Sequence, residues 1–227
     1  MANPWHRPYQ AYLFDLDGTL IDTAPDIDAS LNHCLSKHGY PTVDINLTRH
    51  WVGHGVRALV RESLIYHNRS APEEAHLEEM VTTFLDYYRD HLTDLSQPYP
   101  HVLTTLDMLK DQGAKLAVVT NKLTELSVPL IAGLDMSHYF ESIICGDSAA
   151  HPKPNPDPIY LCLEELKVSA NQALFVGDSE TDVSAARAAD MKVVCVRDGY
   201  NHGVDVTTLD LDGVIDSFTE LLPTESL

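Results

Sequence analysis

The tetrapeptide DLDG occurs twice in this chain, and each copy places two aspartates one residue apart, Asp15 with Asp17 and Asp210 with Asp212. The first copy ends a short apolar run at residues 11–16, and side chains two apart on a strand point to the same face. The second copy follows a polar, glycine-rich stretch, so we interpret it as an acidic surface loop before a short strand and a last helix. Ligands bind at the carboxyl ends of buried strands, and only the first pair lies at such an end. Because two carboxylates there repel each other unless a cation lies between them, the first pair is the candidate for chemistry.

Three further polar clusters follow apolar runs or lie between them, and their members are Thr120, Asn121, Lys122, Lys153, Asp178 and Asp182. In open α/β sheets, ligands bind outside the carboxyl ends of the strands. We therefore expect these side chains to converge with the first aspartate pair at one edge of a sheet. Carboxylates, an amine, a hydroxyl and an amide together suit Mg²⁺ and phosphate, which both prefer such partners.

Five short apolar runs are the candidate strands, at residues 11–16, 115–120, 142–145, 173–176 and 192–196. The runs are continuous rather than alternating, which indicates strands buried on both faces of a parallel sheet. Helical patterns fill the gaps between them, at residues 102–112, 123–134, 158–166 and 181–190. This alternation predicts an α/β fold with a doubly wound, Rossmann-like parallel sheet.

One long segment interrupts the alternation directly after the first strand. Residues 23–95 contain only helical patterns, at 24–38, 56–67 and 73–92. We predict that residues 1–22 and 96–227 form the catalytic core and that residues 23–95 form an inserted helical domain. The hinges of this insert are expected near Thr23 and residues 96–100.

The composition excludes several classes of function. Of the 227 residues, 34 are Asp or Glu and 15 are Lys or Arg, so the formal charge of −19 repels nucleic acid and anionic lipid. No apolar run approaches the ~20 residues of a membrane helix. The four cysteines are far apart, which favours free thiols in a reducing, cytoplasmic compartment. We expect a monomer or homodimer that binds a small anionic substrate.

Two other patterns are weaker candidates for binding sites. The segment GHGVRA, residues 53–58, fits a loose dinucleotide-binding pattern, but it follows no strand, so nucleotide binding is not expected there. The 12 histidines include no cluster with zinc-type spacing, and we interpret most of them as surface or core residues.

The motifs, taken in order, resemble those of the haloacid dehalogenase superfamily of phosphatases: DLDGT, a strand that ends in Thr120, then Lys153, then GDSETD. The helical insert is similar to the C1 cap of that superfamily. Finer features, namely DGTLIDTAPD, WVGHGV, VVTNK, KPNPDP and GYNHG, are similar to phosphoglycolate phosphatases. The resemblance covers essentially the whole chain and implies a phosphoric monoester hydrolase.

The resemblance also implies a role for each core motif. Asp15 would be the nucleophile that forms an aspartyl-phosphate, which water then hydrolyses. Asp17 would protonate the leaving group and later deprotonate the attacking water. Thr120 and Asn121 would hold phosphoryl oxygens, while Lys153 would neutralise charge on the nucleophile and the phosphate.

The cofactor that the resemblance implies is Mg²⁺. Its ligands would be Asp15, the backbone carbonyl of Asp17, and Asp178, with waters completing the octahedron. Asp182 would bind the ion through a water, or it would accept a hydrogen bond near the metal ligands without contacting the ion itself. Its simpler interpretation is an acidic residue that favours the positive end of its helix.

The implied substrate is 2-phosphoglycolate, and the insert would select it. In the loop WVGHGVR, Gly53, His54 and Arg57 could contact a small anionic group, although a plain helix–helix turn with Arg57 in solvent is the alternative. His54 and His101 stand where the phosphoglycolate phosphatase pattern more usually has asparagine and glycine. Other candidates are a mutase, a pyrophosphatase or a phosphatase for another small phosphoester. A phospho-aspartate receiver domain is disfavoured, because it needs neither the insert nor Asp17.

Overall fold

A computed structural model of the chain describes residues 5–68, 70 and 72–222. Within these residues the strands are β1 (Ala11–Phe14), β2 (Ile21–Asp22), β3 (Gln97–Pro98), β4 (Lys115–Val119), β5 (Ser142–Ile144), β6 (Ala173–Gly177), β7 (Lys192–Val196) and β8 (Gly213–Ile215). The α-helices are α1 (Ala24–Lys37), α2 (Ile45–Trp51), α3 (Val56–Asn68), α4 (Glu74–Asp90), α5 (Val102–Asp111), α6 (Thr124–Gly133), α7 (Asp157–Leu166) and α8 (Glu180–Ala188).

Six of the strands form one parallel sheet in the order β5-β4-β1-β6-β7-β8. All four residues of β1 and all five of β6 are buried, which explains why these strands are continuous apolar runs in the sequence. The five predicted strands are confirmed, with ends that differ by at most two residues. The predicted α/β class with a doubly wound, Rossmann-like sheet is therefore confirmed.

Alternate residues of the strands face two separate cores, one on each side of the sheet. On one side, Tyr12 and Phe14 of β1 pack in a cluster with Leu106 of α5 and Leu130 of α6. On the other side, Leu13 belongs to a cluster that the helices α7 and α8 complete. The apolar stripes of the helices therefore cover both faces of the sheet and fix the positions of its strand ends.

The helices α1 to α4 lie between β2 and β3 and supply most of a third apolar core. That core includes Leu31, Leu64, Met80 and Phe84. Within the segment, helix α2 was not predicted from the sequence, and the short strands β2 and β3 pair antiparallel where the chain enters and leaves it. These contacts support the proposal that residues 23–95 are an inserted helical domain, here called the cap.

A single buried carboxylate ties the two connections of the cap together. Asp26, only 1% exposed, accepts hydrogen bonds from the backbone N–H groups of Leu95 and Ser96 and from the Ser96 hydroxyl. Because Asp26 lies in the first turn of α1, the exit of the cap is held directly against its entry.

The second DLDG differs in part from its interpretation as a surface loop. The Asp210 side chain is 90% exposed, as expected. The Asp212 side chain is only 8% exposed and accepts hydrogen bonds from Arg187, Lys192 and the Val193 N–H. The interpretation was wrong for Asp212, which anchors the start of β8. The last helix is a 3-10 turn, Phe218–Leu221.

Two other structural expectations concern the cysteines and the membrane. All four cysteines are free and buried. Among the residues that the structure describes, no helix combines the length and the apolar character needed to cross a membrane.

Candidate active site

A cavity of about 300 Å³ lies between the carboxyl edge of the sheet and the cap. Asp15 follows β1, Thr120 follows β4, and Asp178 follows β6, so three adjacent strands deliver these side chains to the cavity wall. Asp17, Asn121, Lys153 and Asp182 line the same cavity. The structure thus brings together all the core residues singled out from the sequence.

Lys153 is the central cation of this cluster. Its ammonium group donates to Asp15 Oδ1 at 2.8 Å, to Asp182 Oδ1 at 2.7 Å and to the Val119 carbonyl at 2.8 Å. Burial alone would lower the pKa of Lys153, but the two carboxylates raise it above its usual value, so the amine stays charged. Burial raises the pKa of Asp15 to about 6, even though Lys153 opposes this shift.

The buried carboxylates outnumber the cation that faces them. Asp178 is 2% exposed, and burial, followed by the charges of Asp182 and Asp15, raises its pKa well above its ordinary value. One carboxylate oxygen from each of the three residues lies within 4.8 Å of the others. An all-oxygen set with uncompensated negative charge fits a hard divalent cation such as Mg²⁺.

Asp182 is held differently from the other two acids. Its Oδ2 accepts from the Ser179 hydroxyl at 2.7 Å and from the backbone N–H groups of Ser179 and Asp178 at 3.1 and 3.2 Å. The bond from the Ser179 N–H is one half of a capping box at the start of α8, while Oδ1 pairs with Lys153. Both oxygens are therefore engaged, so the geometry favours Asp182 as a residue that positions Lys153 and the Asp178 loop.

Asp17 does not share a strand face with Asp15, contrary to the sequence-based expectation. Strand β1 ends at Phe14, and Asp17 lies in the following turn, where it forms a bridge with Ile21. Its carboxylate accepts a hydrogen bond of 2.6 Å from the Thr23 hydroxyl. The turn, rather than the pleat of a strand, therefore sets the direction of this side chain.

Lys122 and Tyr88 also belong to the site; from the sequence, Lys122 was placed in a strand-end cluster without a role, and Tyr88 was not predicted. The Lys122 ammonium group contacts Asp17 Oδ1 at 3.0 Å and Oδ2 at 3.2 Å, and it donates to the Tyr88 hydroxyl at 2.8 Å. Lys122 directly follows Asn121 in the sequence, and this position at the end of a strand was a reason to include it in the site. Tyr88 is part of the apolar stripe of α4, and nothing in its sequence context distinguishes it from a core residue.

Thr120 and Asn121 form hydrogen bonds with two different loop residues. The buried Thr120 hydroxyl accepts a hydrogen bond of 3.2 Å from the Lys122 N–H. The Asn121 side chain bonds both the N–H and the carbonyl of Lys153, each at 2.9 Å. Because its amide is paired at both ends, Asn121 fixes the loop that carries Lys153.

The cap side of the cavity is formed partly by the turn between α2 and α3. Gly53 and Gly55 line the cavity with positive φ values of 120° and 85°, a conformation that glycine adopts without strain. Arg57 lines it too, but its guanidinium group forms ion pairs with Glu74 and Glu78. The ring of His54 lies against that of His202, with centroids 4.4 Å apart, and is not among the residues that line the cavity.

Comparison with known proteins identifies the family of the chain. The sequence profile of haloacid dehalogenase-like hydrolases matches residues 12–196, and the chain belongs to this family. It is 38% identical over 209 residues to phosphoglycolate phosphatase of Nitrosococcus oceani, covering 92% of this chain and 93% of that protein. It is 36% identical to the Haemophilus influenzae phosphoglycolate phosphatase, covering 92% and 95% of the two chains.

A solved structure gives the same result for the fold. The crystal structure of a predicted phosphoglycolate phosphatase from Haemophilus somnus superposes with a TM-score of 0.89 and 32% identity, over 95% of this chain and 97% of that one. The superfamily resemblance recognised in the sequence is therefore confirmed.

Proposed function

We propose that this chain is a Mg²⁺-dependent phosphoric monoester hydrolase that acts through an aspartyl-phosphate on Asp15, with 2-phosphoglycolate as its substrate. The observation that carries the proposal is the convergence of Asp15, Asp178 and Lys153 at the strand ends, with Asp17 on the same cavity wall. Family membership and the names of the relatives support the same class of reaction.

The nucleophile in this proposal is the oxygen of Asp15 that Lys153 does not occupy. Lys153 pairs with Oδ1, so Oδ2 attacks the phosphorus while Asp17 gives its proton to the leaving alkoxide. Asp17 then takes a proton from water, which attacks the phosphorus of the aspartyl-phosphate. That second displacement restores the Asp15 carboxylate and releases inorganic phosphate.

The residues that would hold Mg²⁺ are Asp15, Asp178 and the backbone carbonyl of Asp17. The bound ion would neutralise charge on the phosphoryl oxygens. Lys153 holds Asp15 in place, and Asp182 holds Lys153. The Thr120 hydroxyl and the backbone N–H groups around Asn121 would donate hydrogen bonds to the oxygens of the phosphoryl group at the end of β4.

The cavity supports a small, anionic substrate. Its volume of about 300 Å³ is at the lower end for ligand pockets, and its lining includes the cations Arg57, Lys122 and Lys153. Lys153 serves the phosphoryl end in this proposal, which leaves the cap side to recognise the carboxylate of glycolate. The peptide groups at Gly53 and Gly55 lie on that side.

The test is phosphate release from a set of phosphoesters at saturating Mg²⁺. We expect a higher kcat/KM for 2-phosphoglycolate than for a hexose 6-phosphate or an uncharged aryl phosphate. A preference for a sugar phosphate would refute the substrate assignment but keep the reaction class. If none of the phosphoesters releases phosphate, the hydrolase proposal itself is wrong.

A further inference from the structure

Away from the active-site cavity, two helices of the cap bring three possible metal ligands together. His76 and Glu79 are one turn apart on α4, and His38 directly follows the end of α1. One ligand atom from each of these residues lies within 4.8 Å of the other two. In particular, His76 Nδ1 is 3.9 Å from a carboxylate oxygen of Glu79.

Each of the two imidazoles is oriented by an oxygen outside the cluster. His38 Nε2 lies 3.0 Å from the Thr83 hydroxyl, and His76 Nε2 lies 3.1 Å from the Tyr40 hydroxyl. Metal-binding histidines usually have this arrangement, because a bond at one ring nitrogen fixes the ring and directs the lone pair of the other nitrogen toward the ion.

We propose that His38, His76 and Glu79 form a site for one transition-metal dication, of which Zn²⁺ fits the ligand set best. Two imidazoles and one carboxylate make a three-ligand zinc site, with water in the fourth position. Bonds of about 2.0–2.2 Å require the ligand atoms to approach more closely than they do here. The Glu79 side chain is 69% exposed and can rotate to close the site.

The chemistry of this site differs from that of the active-site acids. Imidazole nitrogen favours Zn²⁺, Ni²⁺ or Cu²⁺ over Mg²⁺, whereas the cluster around Asp15 offers only oxygen. The formal charge of −19 adds a long-range attraction for any dication. The proposal does not depend on the proposed phosphatase reaction, because no residue of the cluster lines the catalytic cavity.

A bound ion would brace α1 against α4, the two helices that carry the core of the cap. These helices already meet at a buried contact, where the Cys34 thiol donates to the Met80 carbonyl at 3.2 Å. An ion that bridges them is present only in the folded cap, so its binding free energy adds to the stability of the cap.

The experiment is a calorimetric titration of Zn²⁺ into the protein at saturating Mg²⁺, which competes for the active-site carboxylates. We expect one equivalent of Zn²⁺ to bind and to raise the thermal midpoint of unfolding. His76→Ala removes a ligand and Glu79→Gln replaces a charged ligand by a neutral amide, so each should weaken this binding by more than about 100-fold, beyond the effect of losing a residue that only supports a ligand. Thr83→Val should weaken Zn²⁺ binding by about 10- to 100-fold, the usual effect of losing the hydrogen bond that orients a metal ligand.

The matched control is His33→Ala, which removes an exposed histidine from α1, the helix that His38 follows, and should leave Zn²⁺ binding unchanged. Circular dichroism identifies any variant that does not fold, and Glu79→Gln, at an exposed position, then carries the test. The proposal is wrong if the wild-type protein binds no Zn²⁺ in excess Mg²⁺. It is equally wrong if folded His76→Ala and Glu79→Gln bind Zn²⁺ as tightly as the wild type does, because His76 and Glu79 would then not be ligands of the ion.

Discussion

The ammonium group of Lys122 lies 3.0 Å from one carboxylate oxygen of Asp17 and 3.2 Å from the other. The same group donates to the Tyr88 hydroxyl of α4, so a single buried amine joins the proposed general acid to the cap. Burial alone would lower the pKa of Lys122, but Asp17 and Tyr88 raise it above its usual value. Lys122 therefore stays charged at neutral pH and gives Asp17 a permanent partner.

We predict that Lys122→Met lowers kcat far more than it raises KM, because Asp17 loses the charge that holds it in place. The loss of a hydrogen bond to a charged group corresponds to about 1.5–3 kcal/mol, or roughly 10- to 150-fold in kcat. Tyr88→Phe removes only the contact with the cap and should have a smaller effect. Steady-state kinetics with 2-phosphoglycolate measures kcat and KM of both variants. Equal kcat values in wild type and Lys122→Met would show that Lys122 does not position Asp17.

The two DLDG copies give an internal control for the catalytic assignment. We predict that Asp15→Asn and Asp17→Asn each abolish phosphate release while the fold is retained, because both roles require an ionisable oxygen. Asp15→Asn should also prevent trapping of labelled phosphate on the protein. Asp210→Asn, at the exposed second copy, should leave the kinetics unchanged. Activity within tenfold of wild type in either of the first two variants would refute the mechanism.

The five strands β1 and β4 to β7 were predictable from the sequence because burial on both faces leaves continuous apolar runs. Helix α2 was not, because its seven residues include a single buried one, Thr48, and so carry no apolar stripe. The order of Asp15, Thr120, Lys153 and Asp178 along the chain predicted their convergence, since parallel strands end at one edge.

Contacts that join distant elements had no local signal. Lys122 and Tyr88 are 34 residues apart and meet only because the cap folds over the sheet edge. The sequence between His38 and His76 contains two whole helices, α2 and α3, so residue spacing could not show that the two rings meet. Asp212 looked like a loop residue because its partners, Arg187 and Lys192, come from α8 and β7.

Metal removal should abolish activity. The three clustered carboxylates at Asp15, Asp178 and Asp182 carry more negative charge than Lys153 neutralises. We predict that a chelator stops phosphate release and that added Mg²⁺ restores it, whereas Ca²⁺ binds and inhibits. Ca²⁺ accepts bidentate carboxylates at longer distances, so it could occupy both oxygens of Asp15. Full turnover in chelator or with Ca²⁺ alone would contradict the metal assignment.

Arg57 provides a test of selectivity by the cap. If it contacts the carboxylate of glycolate, Arg57→Ala should raise KM for 2-phosphoglycolate by roughly 10- to 150-fold and change KM for an aryl phosphate little. His54→Ala should have a smaller effect, because its ring lies against His202. Arg61→Ala is the matched control, since Arg61 is on the same helix but does not line the cavity. Equal changes for both substrates would show that Arg57 does not select glycolate.

The last prediction concerns Asp212 and the stability of the sheet edge at acid pH. Burial alone would raise the pKa of Asp212, but hydrogen bonds from two cations and from the Val193 N–H lower it below its ordinary value. A carboxyl group with a lowered folded-state pKa stabilises the fold above its unfolded pKa, about 3.9, and this stabilisation is lost as the pH falls through the folded pKa.

Asp212→Asn should therefore lower the free energy of unfolding by about 1–3 kcal/mol at pH 7, because a charge-assisted acceptor is removed. The difference from wild type should shrink below about pH 4, where the wild-type carboxylate itself becomes protonated. Urea unfolding at pH 7 and at pH 3 measures the difference in the free energy of unfolding between Asp212→Asn and wild type at each pH. Asp210→Asn, 90% exposed in the same tetrapeptide, is the control and should match wild type at both pH values. A constant difference between Asp212→Asn and wild type across this range would mean that packing, rather than the charge of Asp212, stabilises the start of β8.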